Sequence, residues 1–117
     1  WLEQGVNWNL IEDEQQEEEL LEGIRILNFG SGHTFGMMGL LVTLPESGNF
    51  ILASDCINTK ENYGPPLRYP GLAYDTIGYR KTIERIRRLE KQYQAKVLFG
   101  HDIDQYRSLK FVPEYYA

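Results

Sequence analysis

The sequence predicts an α/β fold, with a mixed sheet, one long helix and a short C-terminal helix. Three observations predict it. Short β-favouring runs recur at 24–29, 38–44, 50–53 and 96–99, separated by turn residues. Only residues 76–94 carry a sustained helical spacing of apolar side chains. That helix is flanked by two buried strands, the order expected of a right-handed crossover that lays a helix on one face of a sheet.

In chain order, Val6-Asn7-Trp8-Asn9-Leu10-Ile11 alternates, with Val6, Trp8 and Leu10 on one side, and predicts an edge strand. It lies in an acidic segment, 1–22, with eight Asp or Glu and no Lys or Arg; the body, 23–117, holds nine acids and twelve bases. Glu17-Glu18-Glu19 within that segment reads as a solvated loop, or else as a docking surface for a basic partner. Gly23 to Phe29 predicts a second strand. Gly30 to Gly36 cannot extend it, since three glycines in seven residues mark a loop, with His33 in its middle.

Met38 to Leu44 predicts the third strand, and Pro45 to Asn49 a hairpin turn. Phe50, Ile51, Leu52 and Ala53 form a run with almost no polar alternation, expected to be buried on both faces and to end at Asp55. Three prolines and two glycines make Thr59 to Gly71 a long ordered loop. Asp75 suits the N-cap of the long helix. Tyr79, Ile83, Ile86, Leu89 or Glu90, and Tyr93 form its inner face, with Arg80, Lys81, Arg85, Arg87, Arg88 and Lys91 mainly on the other side, turned to solvent. Lys96 to Phe99 is a short strand that Gly100-His101-Asp102 ends, and Asp102 caps a final helical turn.

Composition bounds the function. The 42% apolar content is that of an ordinary globular domain. The net charge of −5 and the absence of basic residues interleaved with stacking aromatics argue against nucleic acid. No run of eighteen apolar residues predicts a membrane span, and the first residues are no signal peptide. The chain opens on Trp1 rather than Met, so a preceding segment is expected. A lone cysteine, Cys56, allows no internal disulfide and favours a reducing, cytoplasmic compartment.

The two histidines, His33 and His101, and Asp55 each stand at or beside a strand end, where layered folds gather residues remote in sequence. Imidazole and carboxylate donors suit Zn²⁺, with Fe or Mn also compatible. The competing readings are a turn residue bonding local backbone for His101 and a strand-end cap for Asp55. Cys56 reads as a small packed residue, with ligation the alternative.

Gly32-His33-Thr34 with Gly36, Ala53-Ser54-Asp55 followed by Thr59-Lys60-Glu61-Asn62, and Phe99-Gly100-His101-Asp102 with Pro113-Glu114-Tyr115 resemble the C-terminal half of the metallo-β-lactamase superfamily. The branch resembled is the N-acyl homoserine lactone lactonases. The resemblance implies half of an αβ/βα sandwich and an enzyme that hydrolyses a lactone or related ester with two divalent metal ions, most simply Zn. It implies His33 on one metal, His101 on the other, and Asp55 as the catalytic carboxylate bridging both. The His-x-His-x-Asp-His motif that supplies the family's other ligands is absent from these residues. Asn58 stands where the family places a substrate-assisting tyrosine, and its amide offers a substrate-binding hydrogen bond instead. Phe35 and Met37 replace the loop's usual Pro and second His. The chain alone is therefore expected to be inactive, completed by an N-terminal half. Alternatively it is a non-catalytic half-domain acting as an interaction or self-association module, its acidic arm docking a partner; a third reading is a homodimer in which two copies complete one sandwich.

Overall fold

The computed structural model describes residues 5–12 and 15–117, and Trp1 to Gln4, Asp13 and Glu14 of the acidic segment lie outside it. Five strands form one sheet in sequential order: β1 (Glu17–Leu21), β2 (Ile24–Gly30), β3 (Met37–Leu44), β4 (Gly48–Leu52) and β5 (Lys96–Leu98). The first four pair antiparallel and β5 joins β4 in parallel, so the sheet is mixed as the sequence predicts. Among the described residues three α-helices accompany it: α1 (Lys60–Tyr63), α2 (Thr76–Tyr93) and α3 (Ile103–Arg107).

The edge strand is not where alternation placed it. Residues 6–11 have no regular structure, and β1 is built from the acidic run itself. One of its carboxylates meets cations from β2 and α2: Glu17 pairs with Arg25 at 3.4 Å and with Arg85 at 3.5 Å, while Glu18 accepts from the Asn9 and Gln15 side-chain amides. Charge on an edge strand also discourages pairing with another chain.

Cross-strand partners fix which residues share a face. Leu27 on β2, Leu41 on β3, Ile51 on β4 and Val97 on β5 face α2, and they are buried with Tyr79, Ile83, Ile86 and Leu89 of that helix. Asp75 caps α2, accepting a bond from the Ile77 amide at 3.0 Å, and Gln94 closes it in the left-handed conformation. Arg85 and Arg87 do not point freely to solvent as expected. Arg85 donates to the Asn28 and Gln16 carbonyls, and Arg87 to the Tyr63 carbonyl while lying 5.2 Å above that ring. Both use their long stems to tie the helix to neighbouring segments.

The opposite face of the sheet carries Ile24, Ile26, Met38, Leu40, Val42, Phe50, Leu52 and Leu98. Tyr116 covers Phe50, ring to ring at 5.2 Å, but Met38 and Leu52 remain 39% and 37% exposed. The β4 run is thus buried on the helix side and only partly on the other. Its regular structure also stops at Leu52 rather than continuing to Asp55, because Ser54–Cys56 turns as a short 3-10 segment.

Candidate metal centre

The centre is built where β4 and β5 end side by side. Beyond the parallel ladder the two chains stay joined: the Ala53 amide donates to the Leu98 carbonyl at 3.0 Å, Gly100 to Ile57 at 2.9 Å and His101 to Asn58 at 2.8 Å. This pairing sets the turn that holds Asp55 against the turn that holds His101. Gly100 is required by close approach, since a Cβ there would stand 2.7 Å from the Ser54 carbonyl oxygen. Ser54 takes φ of 52°, a left-handed conformation costly for a residue other than glycine, immediately before Asp55.

The result is a direct contact between His101 Nε2 and Asp55 Oδ1 at 2.9 Å, across 46 residues of sequence. The side chains are 65% and 48% exposed, so the pair is open to solvent and to a ligand. A cavity of about 360 Å³ opens beside it, between the end of β5 and α3, with Leu98, Ile103, Tyr106 and Leu109 in its wall.

Asp102 follows directly. Its Oδ1 accepts from the Gln105 amide and its Oδ2 from the Lys60 amide, both at 2.8 Å, and these bonds hold its carboxyl below the usual carboxylate range. The capping of α3 is legible in the sequence; the reach to Lys60 is not.

His33 is held differently. Its loop leans on the start of α2: Tyr74 and Asp75 donate their amides to the His33 and Gly32 carbonyls, and a Cβ at Gly32 would meet the Tyr79 backbone at 2.7 Å. Among the described residues no three His, Cys, Asp or Glu side chains form a group able to hold an ion. The structure therefore brings together two of the three expected ligands, Asp55 and His101, and His33 does not complete a three-donor group with them. Its Nδ1 is nevertheless buried with no hydrogen-bond partner.

Asn58 uses its carbonyl on His101, and its side-chain Oδ1 is buried without a partner. Cys56 is buried in the core rather than turned to the site. Burial, then the neighbouring Asp55, pushes its thiol up to about 12.

An imidazole touching a carboxylate at adjacent strand ends is donor chemistry that suits a divalent ion, and these two groups are one short of the three donors such a site takes. Sheet and crossover helix are the arrangement that the resemblance to half of a metallo-β-lactamase-type sandwich implies. In sequence and in fold the chain matches the C-terminal portion of the N-acyl homoserine lactonases. N-acyl homoserine lactonase AiiB of Agrobacterium fabrum is 46% identical over 109 residues, 93% of this chain and 40% of that protein. An N-acyl homoserine lactonase of Bacillus thuringiensis is 30% identical over 94% of this chain and 42% of its own length. Among solved structures, an N-acyl homoserine lactone hydrolase with N-hexanoyl-L-homoserine at its catalytic metal center aligns with a TM-score of 0.78. It is 29% identical and covers 87% of this chain and 40% of that one. A probable metal-dependent hydrolase from Staphylococcus aureus shares the fold, with a TM-score of 0.62. No family model matches the chain. The chain thus spans about 40% of the length of the curated relatives it matches.

Proposed function

We propose that the chain is the C-terminal portion of a metal-dependent hydrolase acting on lactones or related esters. The observation that carries this reading is the 2.9 Å contact of His101 with Asp55 at paired strand ends, in a chain whose relatives are lactonases. Asp55, His101 and His33 would hold divalent ions, most simply a pair of Zn²⁺, with further ligands from a segment outside these 117 residues. When bound, such ions polarise an ester carbonyl and lower the pKa of a coordinated water to about 7.

The chain's own residues set what surrounds that chemistry. A carboxylate has two oxygens, so Asp55 can serve two cations at once, whereas an amide in its place could not. His101 is placed by its backbone bond to Asn58 and is oriented by Asp55. The Asn58 amide group can donate a hydrogen bond to a substrate carbonyl or oxyanion but cannot deliver a proton as a phenol does. Two or three donors are fewer than a tight site with its own catalytic water requires, so these residues alone are inactive. The half-exposed sheet face fits the same reading, because a second layer would cover it.

Elemental analysis tests the proposal. A protein of the relatives' full length that contains this chain is expected to hold about two ions and to open an N-acyl homoserine lactone, and the 117-residue chain to hold far less metal and show no turnover. Tight binding of two ions by the chain alone would overturn the ligand assignment; a full-length, metal-loaded protein without lactone hydrolysis would overturn the substrate. The uncovered apolar face also supports a second reading, a self-associating module without catalysis. Metal-free full-length protein that dimerises through this face would favour it.

A further inference from the structure

We infer that Asp102 is the positioning residue that keeps the His101 imidazole against Asp55, by joining three segments of the chain at the site; the inference rests on reading that pair as a metal centre. His101 is 65% exposed, and its one side-chain hydrogen bond among the described residues is to Asp55. Its placement is therefore inherited from its backbone. Asp102 Oδ2 accepts from the Lys60 amide, which opens α1 just after Asn58, and Oδ1 accepts from the Gln105 amide in the first turn of α3. One carboxylate thus fastens the His101 turn to the segment leaving Asp55 on one side and to α3 on the other.

The chemistry selects Asp. Both partners are N–H donors, so two acceptor oxygens on a short stem are needed. Asn has one such oxygen and would turn its NH₂ group toward the second amide. Glu adds a methylene and displaces both bonds. Without Asp102 the turn keeps the Gly100–Ile57 and His101–Asn58 backbone bonds, and the imidazole is freed to leave the carboxylate.

The test compares Asp102→Ala, Asp102→Asn and Arg85→Ala with the wild-type chain. Arg85 lies at the other side of the sheet, bonded to Asn28 and Gln16, and serves as a destabilising control remote from the pair. Zinc alone is the titrant, and imidazole ¹⁵N spectra at one fixed pH report whether His101 Nε2 stays hydrogen-bonded to Asp55. Asp102→Ala is expected to weaken zinc binding by about 10–100-fold and to average the His101 signals. Asp102→Asn should fall between, and Arg85→Ala should lower stability while leaving both readouts unchanged. Zinc affinity and imidazole signals unaltered in a folded Asp102→Ala protein would overturn the inference. Should the wild-type chain bind no zinc, the imidazole spectra alone decide the role of Asp102, and the metal reading stands or falls separately on the metal content of a protein of the relatives' full length. If Asp102→Ala does not fold, Asp102→Asn carries the comparison, and an unchanged His101 spectrum there overturns it.

Discussion

Tyr79 shows how far single positions can be inferred from spacing. The helical period puts it on the inner face of α2, and it is indeed buried, at 1% exposure. The period says nothing of depth, and the hydroxyl ends up buried without a hydrogen-bond partner. Burial is the main cause that pushes this phenol from 10.0 up to about 12. Because the folded-state value lies above the unfolded one, the neutral phenol's contribution is complete below pH 10 and is lost as pH rises through 12. Tyr79→Phe removes an unsatisfied polar atom at almost constant shape. It should leave stability at pH 7 unchanged or raise it by up to about 1–3 kcal/mol. It should also flatten the decline between pH 10 and 12, as urea titrations at successive pH values would show; a marked loss of stability at pH 7 would mean that the hydroxyl has a partner after all. The site divides the same way. The juxtaposition of Asp55 and His101 is legible because each lies three residues beyond the end of one of two paired strands. His33 stands in the same kind of motif, yet its loop is held on α2 by backbone bonds that side-chain pattern does not encode.

Element boundaries follow from hydrogen bonds more than from hydrophobic pattern. Strands β2 and β3 and helix α2 fall where their sequences place them, since each has a continuous apolar stripe and a cap or turn at its ends. β1 escapes the hydrophobic pattern because three of its five residues are acidic; its pairing with β2 forms the strand, and Arg25 and Arg85, one of them 68 residues away, meet the Glu17 carboxylate. The other edge, β5, has a different protection. Gln105 donates from Nε2 to the Val97 carbonyl at 2.8 Å and accepts from the Phe99 amide at 2.7 Å. Its side-chain amide thus occupies the place of a neighbouring strand. Gln105→Ala would leave a free carbonyl and a free amide on a parallel edge strand, costing about 1–3 kcal/mol and opening a template for another chain. The expected readout is a lower thermal midpoint with concentration-dependent light scattering. Gln105→Glu keeps the bond from Phe99 but not the donor to Val97, so it should lie between. A Gln105→Ala protein as stable and monodisperse as wild type would show that the edge is guarded by something else.

At the scale of the molecule, the two faces of the sheet are unequal. One is sealed by α2, with Leu27, Ile51, Ile57, Ile83 and Ile86 fully enclosed. The other presents a stripe of Ile, Leu, Val and Met across four strands, with Tyr116 folded over Phe50 at one end. The sequence did not distinguish the faces at β4, because a continuous apolar run reads the same whether its second face meets a helix, another sheet or solvent. A contiguous apolar surface on a folded chain seeks a cover. Leu52 and Met38 lie on this face and are more than a third exposed, so Met38→Lys with Leu52→Lys adds charge where water already reaches. In the 117-residue chain this pair should change stability by no more than about 1 kcal/mol, the sum expected of two surface substitutions. It should also lower binding of a hydrophobic dye and shift sedimentation toward the monomer. In a protein of the relatives' full length the same two lysines would be enclosed between layers, where unpaired charge is strongly unfavourable, and the fold should be lost or its metal released. Equal tolerance in both proteins would show that nothing packs on this face, and the sandwich would have to be abandoned even with the Asp55–His101 pair intact.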